Sequence, residues 1–262
     1  MKISYRRFLL CILLLFGCLA AAYSKDRVVW RLGEKDGSCR EFALHDVAYS
    51  DFSKRYTCVT TICQIGTDDS RKIPCAFPGP KDVWAGKQSG ELLVRFGIGR
   101  IAPQTRARLV LDFVEVHPYS PPVLEITVNG FRVKVQTPAG KNSSYFQSRT
   151  TDSRDLAVSV GLPEGALQAG ENRVSVRNES GSWVVWDALT LTADASVTAS
   201  KLRDKVELLG VKSSPALMYG EGQELLQPVR MQIANWGAAR EAEWSYDGQK
   251  GGKIRLERGL NH

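Results

Sequence analysis

Ser180–Asp194 reads SGSWVVWDALTLTAD. Side chains of a β-strand alternate faces with period two, so Trp183, Val185, Leu189 and Leu191 fall on one side of a strand here. Asp187 shares that register. An unpaired buried carboxylate is expensive, so an acid among core-facing residues needs a partner, either backbone amides or a metal ion. The rest of the stretch is apolar enough to be the centre of a sheet, which makes the chain around it a β-protein.

The same pattern extends upstream. From Glu91 onward, ELLVRFGIG, RARLVLDFVEV, VLEITVNGFRVKVQ, DLAVSVGLP and NRVSVRNE are short alternating segments separated by turn residues, the signature of an all-β sandwich or barrel. In VLEITV, Leu124, Ile126 and Val128 alternate with Glu125 and Thr127, and Asn129-Gly130 then supplies a hairpin turn. No long helical period interrupts these strands. In EGALQAGENRVSV, a compact loop is expected to bury Leu167 before the next strand. Upstream of Glu91, VVWRLGEKDGSCREFAL reads as an opening strand, a turn at Asp36-Gly37 and a second extended piece.

Residues 1–24 have the layout of a secretory signal peptide: Lys2, Arg6 and Arg7 precede an apolar run from Phe8 to Phe16 and then small residues. The run is too short for a membrane span. Cleavage after Ser24 is the main expectation, and lipidation at Cys18 in LFGC is the alternative. The expected location is therefore secreted, periplasmic or on the cell surface. Losing the leader's three cations lowers the net charge from its full-chain value of +7. The remaining cations are spread along the chain without a basic stripe or interleaved aromatics, which argues against nucleic acid as a partner.

Export also decides how the cysteines are read. Cys39, Cys58, Cys63 and Cys75 form an even set clustered at or near a long insert, about residues 45–88, and two disulfides would fix such a loop. Three pairings are open. Zinc is the rival reading, but four residues separate Cys58 from Cys63, and no second CxxC or histidine pair accompanies them.

Residues 25–195 thus read as one all-β domain, a sandwich or barrel carrying a Cys-rich insert. Polar residues 196–204 read as a linker. Residues 205–262 resume strand patterning in PVRMQIANWG, AEWSYDG and KIRLERG, read as the start of an incomplete immunoglobulin-like β-sandwich.

Catalysis needs positioned acid, base or nucleophile groups. His45, His117 and His262 lie in no HExxH, GxSxG or triad context, so no catalytic residue is assigned and each histidine is read as a surface or loop residue. Sugar recognition asks for less: flat aromatic rings for pyranose faces and planar polar groups for hydroxyls. The candidates are Tyr119 in HPYSPP, Tyr145 and Arg149 in KNSSYFQSR, and Trp183 with Trp186 around the final strand. For the two tryptophans, sandwich core is the competing role.

VVWRLGEKDGSCREF resembles an opening seen near the start of large secreted carbohydrate-active enzymes, including glycoside hydrolase family 38-like (α-mannosidase-like) proteins. LEITVNG, LQAGENRVSV and GSWVVWDALTLTAD are similar to successive elements of the third domain of rhamnogalacturonan lyases (polysaccharide lyase family 4), a carbohydrate-binding jelly roll. The resemblance spans about Val28 to Asp194 and excludes the Cys-rich insert. It implies no required cofactor and an optional structural calcium, held by an acid of the last strand and one of the first strands. Here these would be Asp187 with Glu41, joined by Glu34 or Asp36; the alternative for Asp187 remains a bond to backbone amides.

The expected function is a non-catalytic, glycan-binding N-terminal region of a secreted polysaccharide-degrading enzyme. Its partners would be a glycan and a downstream catalytic domain of the same polypeptide. The alternatives are a scaffold within an α-mannosidase-like hydrolase or a rhamnogalacturonan lyase, and a cell-surface adhesion protein.

Overall fold

A computed structural model describes residues 26–56, 59–148 and 156–262. The leader, Cys58 and Arg149 lie outside the described residues. The chain runs through β1 (Arg27–Gly33), α1 (Tyr49–Arg55), β2 (Thr60–Gln64), a 3-10 turn at Ser70–Lys72, β3 (Ala76–Phe77), β4 (Glu91–Arg100) and β5 (Ala107–Val116). It continues through β6 (Val123–Val128), β7 (Phe131–Gln136), α2 (Tyr145–Ser148), β8 (Leu156–Leu162), β9 (Gly170–Ser180), β10 (Val184–Ala193) and β11 (Thr198–Ser200).

These strands make two sheets. One has the order β1-β10-β5-β8, with β3 pairing β10; the other has the order β11-β4-β9-β6-β7, with β2 running parallel to β4. β6, β8 and β9 bury alternate residues, and Leu109, Leu111 and Phe113 from β5 belong to one core with Leu124, Ile126 and Val128 from β6 and Val174 and Val176 from β9. This is the all-β jelly-roll sandwich that the period-two pattern foretold. Leu167 is buried, and Asn129 takes the positive φ of the β6–β7 hairpin at 50°. No helix among the described residues is long and apolar enough to cross a membrane.

The alternation in β10 is broken at Asp187. Trp186 pairs with Phe113 and Ala188 pairs with Asp112, so Asp187 is an extra, bulged residue. The bulge reverses parity, which sends Trp186 inward between Phe77 and Phe113, with ring centroids 5.2 and 5.4 Å away. Trp186 is 1% exposed and is core, which corrects its reading as a sugar contact. Released from the alternation, Asp187 meets the turn that follows β1, where its Oδ1 accepts from the amides of Asp36 and Gly37, both at 3.1 Å.

The insert carries a second correction. No bond joins Cys39, Cys63 and Cys75 to one another, and any two-disulfide pairing of the four cysteines requires one such bond, whichever of them took Cys58. These three sit on different elements and pack as small apolar side chains. Cys63 lies within β2, where burial pushes its thiol up to about 12. The Cys75 Sγ contacts the Leu44 carbonyl at 3.4 Å, and the Cys39 Sγ lies 3.7 Å from the Tyr145 hydroxyl. Backbone bonds and aromatic packing help to hold the insert. Ala43 N donates to Ile73 O at 2.8 Å, Cys75 N donates to Ala43 O at 2.7 Å, and Phe52 stacks on Tyr56 with centroids 5.0 Å apart.

Residues 196–204 are not a free linker, because β11 pairs with β4 and extends the sheet. Beyond it come β12 (Val206–Ser213), β13 (Met218–Tyr219), β14 (Leu225–Leu226), β15 (Val229–Asn235), β16 (Arg240–Tyr246), β17 (Gln249–Leu256) and β18 (Gly259–Asn261). They form a β12-β15-β18 sheet and two separate two-stranded pairings. This unit is docked on the jelly roll. Ala234 and Trp236 pack on Ile62, Leu93, Leu209 and Leu260, and Arg258 forks onto the Asp68 carboxylate at 3.1 and 3.2 Å. The buried Arg95 guanidinium bonds the Glu171 carboxylate at 2.7 Å and lies 5.5 Å from the centre of the Trp236 ring.

Candidate functional site

At the end of the sandwich where β5 stops and β10 starts, the insert folds over the sheet and leaves a cleft of about 450 Å³. The segment between β3 and β4 forms one wall. Its Pro78-Gly79-Pro80 turn presses on the strand opposite so closely that a Cβ at Gly79 would stand 2.4 Å from the Ser182 carbonyl, which only glycine permits. The fully buried Asn178 amide spans the same point, donating to Phe77 O at 3.2 Å and Ser182 O at 2.8 Å. Lys81 N donates to Gly181 O at 2.9 Å, so this wall is built on fixed backbone.

Asp82 then shapes the lip. It is buried, its Oδ1 accepts from the amides of Trp84 at 3.1 Å and Ala85 at 3.3 Å, and its Oδ2 accepts from the Tyr49 hydroxyl of α1. Burial pushes the Asp82 carboxyl up, and these donors pull it back. Burial and the Asp82 charge raise the Tyr49 phenol well above its ordinary value, so the phenol keeps its proton and donates. The turn closed by Asp82 projects Trp84 outward, 59% exposed beside the cleft.

The floor is a run of rings. Tyr49 stacks on Phe146 of α2 with centroids 3.9 Å apart at 8°, Phe146 meets Trp183 edge-on at 4.9 Å, and Trp183 meets His117 edge-on at 5.4 Å. Tyr119, 84% exposed, continues the line 6.2 Å from His117. Lys81, Gln147 and Ser182 bring polar groups to the same cleft.

Of the residues read as sugar contacts from sequence, Tyr119 flanks this cleft, and Trp183 borders it as a core ring only 3% exposed. Tyr145 does not serve as an exposed contact. It is 4% exposed, because α2 turns its ring beneath Phe146, edge-on at 5.4 Å. Glu41 and Asp187 are both committed to the turn after β1: the Glu41 Oε1 accepts from Glu34 N at 2.8 Å, as Asp187 accepts from Asp36 and Gly37. Among the described residues no group of three histidine, cysteine, aspartate or glutamate side chains gathers as a metal donor set.

Sequence reading missed Trp84, Asp82, Phe146 and the position of His117. A signal was present for the first: in FPGPKDVW a tryptophan follows a Pro-Gly-Pro turn outside any alternating strand, so no sheet face claims it.

The Asp82 carboxylate accepts from three donors, and the His117 Nδ1 accepts from the Ser120 amide at 3.0 Å. What the cleft offers a ligand is ring surface together with a few hydrogen-bonding groups.

A family model described as "CBM-like: Polysaccharide lyase family 4, domain III" matches residues 28–191, well over half the chain. The chain belongs to this family. Its CBM-like domain begins in β1 and ends in β10, so the sandwich and the cleft walls lie within the match while β12 to β18 lie beyond it. No curated protein matches the chain. Among solved structures, a family 35 carbohydrate binding module from an environmental isolate is similar at 17% identity and a TM-score of 0.30, over 44% of this chain and 72% of that one. A family GH115 4-O-methyl-α-glucuronidase with specificity for decorated arabinogalactans is similar at 10% identity and a TM-score of 0.26, over 41% of this chain and 14% of the enzyme.

Proposed function

We propose that the loop-end cleft of this CBM-like domain binds a short stretch of glycan, and that the chain serves as the non-catalytic, glycan-holding part of an exported polysaccharide-degrading protein. The observation that carries the reading is the row of rings at one end of the sandwich, with Trp84 and Tyr119 presented to solvent. Exposed aromatics held by rigid backbone suit the apolar faces of pyranose rings, because little side-chain freedom is lost on contact. Lys81, Gln147 and Ser182 stand where hydroxyls of a bound sugar need partners. The volume of about 450 Å³ falls within the roughly 300–1,000 Å³ of small-ligand sites and suits a chain segment rather than a crystalline surface. Export rests on the leader, and a catalytic domain elsewhere in the same polypeptide rests on the family's accessory role.

The test is a glycan-binding screen followed by calorimetric titration of the saccharide retained most strongly. Trp84→Ala removes an exposed ring without touching the core. It is expected to weaken binding about tenfold, the equivalent of roughly 55 Å² of apolar contact at about 25 cal/mol per Å². Binding unaffected by both Trp84→Ala and Tyr119→Ala overturns the assignment of the cleft, and a screen that retains no saccharide overturns the glycan reading itself.

A further inference from the structure

The loop that carries Tyr119 is held by a histidine that must stay neutral. His117 directly follows β5, its backbone amide donating to Trp183 O at 3.1 Å. Pro118 then starts a turn, and the Ser120 amide folds back to donate to the His117 Nδ1 at 3.0 Å. The Ser120 carbonyl is taken in turn by the Ser182 amide at 2.8 Å, which ties the loop to the β9–β10 turn bearing Trp183. A neutral imidazole has one accepting nitrogen, and here Nδ1 must be that nitrogen. A protonated imidazole donates from both, so no rotation of the ring can restore an acceptor to the Ser120 N–H.

From this geometry we infer that His117 is an acid-sensitive latch: its protonation releases the Ser120 amide and frees the His117–Ser120 turn that carries Tyr119. The consequence for ligand follows only if the cleft is the glycan site proposed above; the glycan would then be gripped at neutral pH and loosened in acid.

The surroundings favour the neutral form. Burial holds His117 below the ordinary histidine value, and the charge of Asp82, from the segment between β3 and β4, acts against that. The Asp82 carboxylate is already engaged by Tyr49, Trp84 and Ala85 and is not bonded to the ring. Lys81, on the same segment, brings a positive charge to the cleft. Trp183 and Phe146, from the other elements packed here, carry no charge, and Tyr119 is the neighbouring phenol on the loop itself.

The test follows the His117 ring nitrogens and the Ser120 amide by NMR on the full chain, from about pH 7.5 to about pH 4.5. No saccharide is needed, so failure of the latch and failure of the glycan reading are told apart. In the wild type the ring is expected to carry its proton on Nε2 at neutral pH, and the Ser120 amide to move on the same one-proton curve as the ring. The loop's closed-to-open ratio should fall about fivefold, the worth of one net hydrogen bond. His117→Asn places an amide oxygen where it can take the same N–H, as asparagine does in turns, and should hold Ser120 at every pH. His117→Ala should show at neutral pH the Ser120 position that the wild type reaches only in acid. A proton on Nδ1 at neutral pH, a Ser120 amide indifferent to the ring's titration, or an alanine variant that reproduces the wild-type pH curve overturns the latch.

Discussion

Replacing Asp187 separates two ways of satisfying a carboxylate that sequence leaves open. Asp187→Ala removes the acceptor of two amide bonds, each 3.1 Å long, that hold the turn after β1 to the bulge of β10. At about 1 kcal/mol net per bond the loss is about 2 kcal/mol, or a fall in melting temperature of roughly 4–8 °C for a chain of this size. Asp187→Asn keeps an oxygen at the same place and removes a charge. Burial raises the Asp187 carboxyl, the two amides oppose this, and the nearby Asp36 and Asp112 raise it further. A carboxyl whose folded value lies above its unfolded value makes the native state lose stability as pH rises through that interval, so the ionised form is a mild liability at neutral pH. The asparagine variant should therefore melt at or slightly above the wild type at pH 7, and chelator should leave all three proteins unchanged. The assay is thermal melting with and without chelator. Asparagine as damaging as alanine, together with a chelator-sensitive wild type, would refute the amide account and establish a cation.

Two further expectations come from the same structure. A Cβ at Gly33, where φ is +79°, would stand 2.4 Å from the Asp187 carbonyl and 2.6 Å from the Phe42 ring, whereas Gly37, at φ +76°, has open space around it. Gly37→Ala should lose about 1–2 kcal/mol from left-handed backbone alone and Gly33→Ala about 1–3 kcal/mol more from overpacking, measured by urea unfolding; equal losses would deny the contact. At the junction of the two units, burial would raise the Glu171 carboxyl, but Arg95 and Lys205 bring it down to about 2. A depressed folded value contributes stability that is complete above about 4.5 and lost as pH falls towards 2. The difference in melting temperature between wild type and Glu171→Gln should narrow across that window; two curves that stay parallel would show that Glu171 is not held by its cations.

Much of the architecture was legible in the residues themselves. Alternation in Leu124, Ile126 and Val128 or in Leu109, Leu111 and Phe113 states which side of a strand is apolar, and a two-sheet sandwich is the common way to bury several such sides. The hairpin at Asn129-Gly130 and the burial of Leu167 are likewise properties of a few neighbouring residues. Where alternation failed, it failed for a tertiary reason. β10 looked regular from Trp183 to Leu191, but pairing with β5 leaves Asp187 as an extra residue, and that single insertion moves Trp186 into the core and Asp187 to the turn after β1. Even spacing of cysteines carries no distance, and the two-disulfide reading fails because no bond joins Cys39, Cys63 and Cys75 to one another.

The candidate site shows the same division more sharply. Tyr119 and Trp183 were candidates beforehand, the first from its loop and the second against the competing role of sandwich core. Their meeting with Trp84, Phe146 and Asp82 could not, since those residues come from loops and short helices far apart in the chain and no periodicity links them. What the order of amino acids determines by itself is the type of element and the face it must hide, because burial at period two is a local free energy. Which loop ends then stand together, which ring stays in water and which carboxylate finds two amides are settled only when the sheets close, because those outcomes depend on contacts between residues whose separation in sequence carries no information about their separation in space.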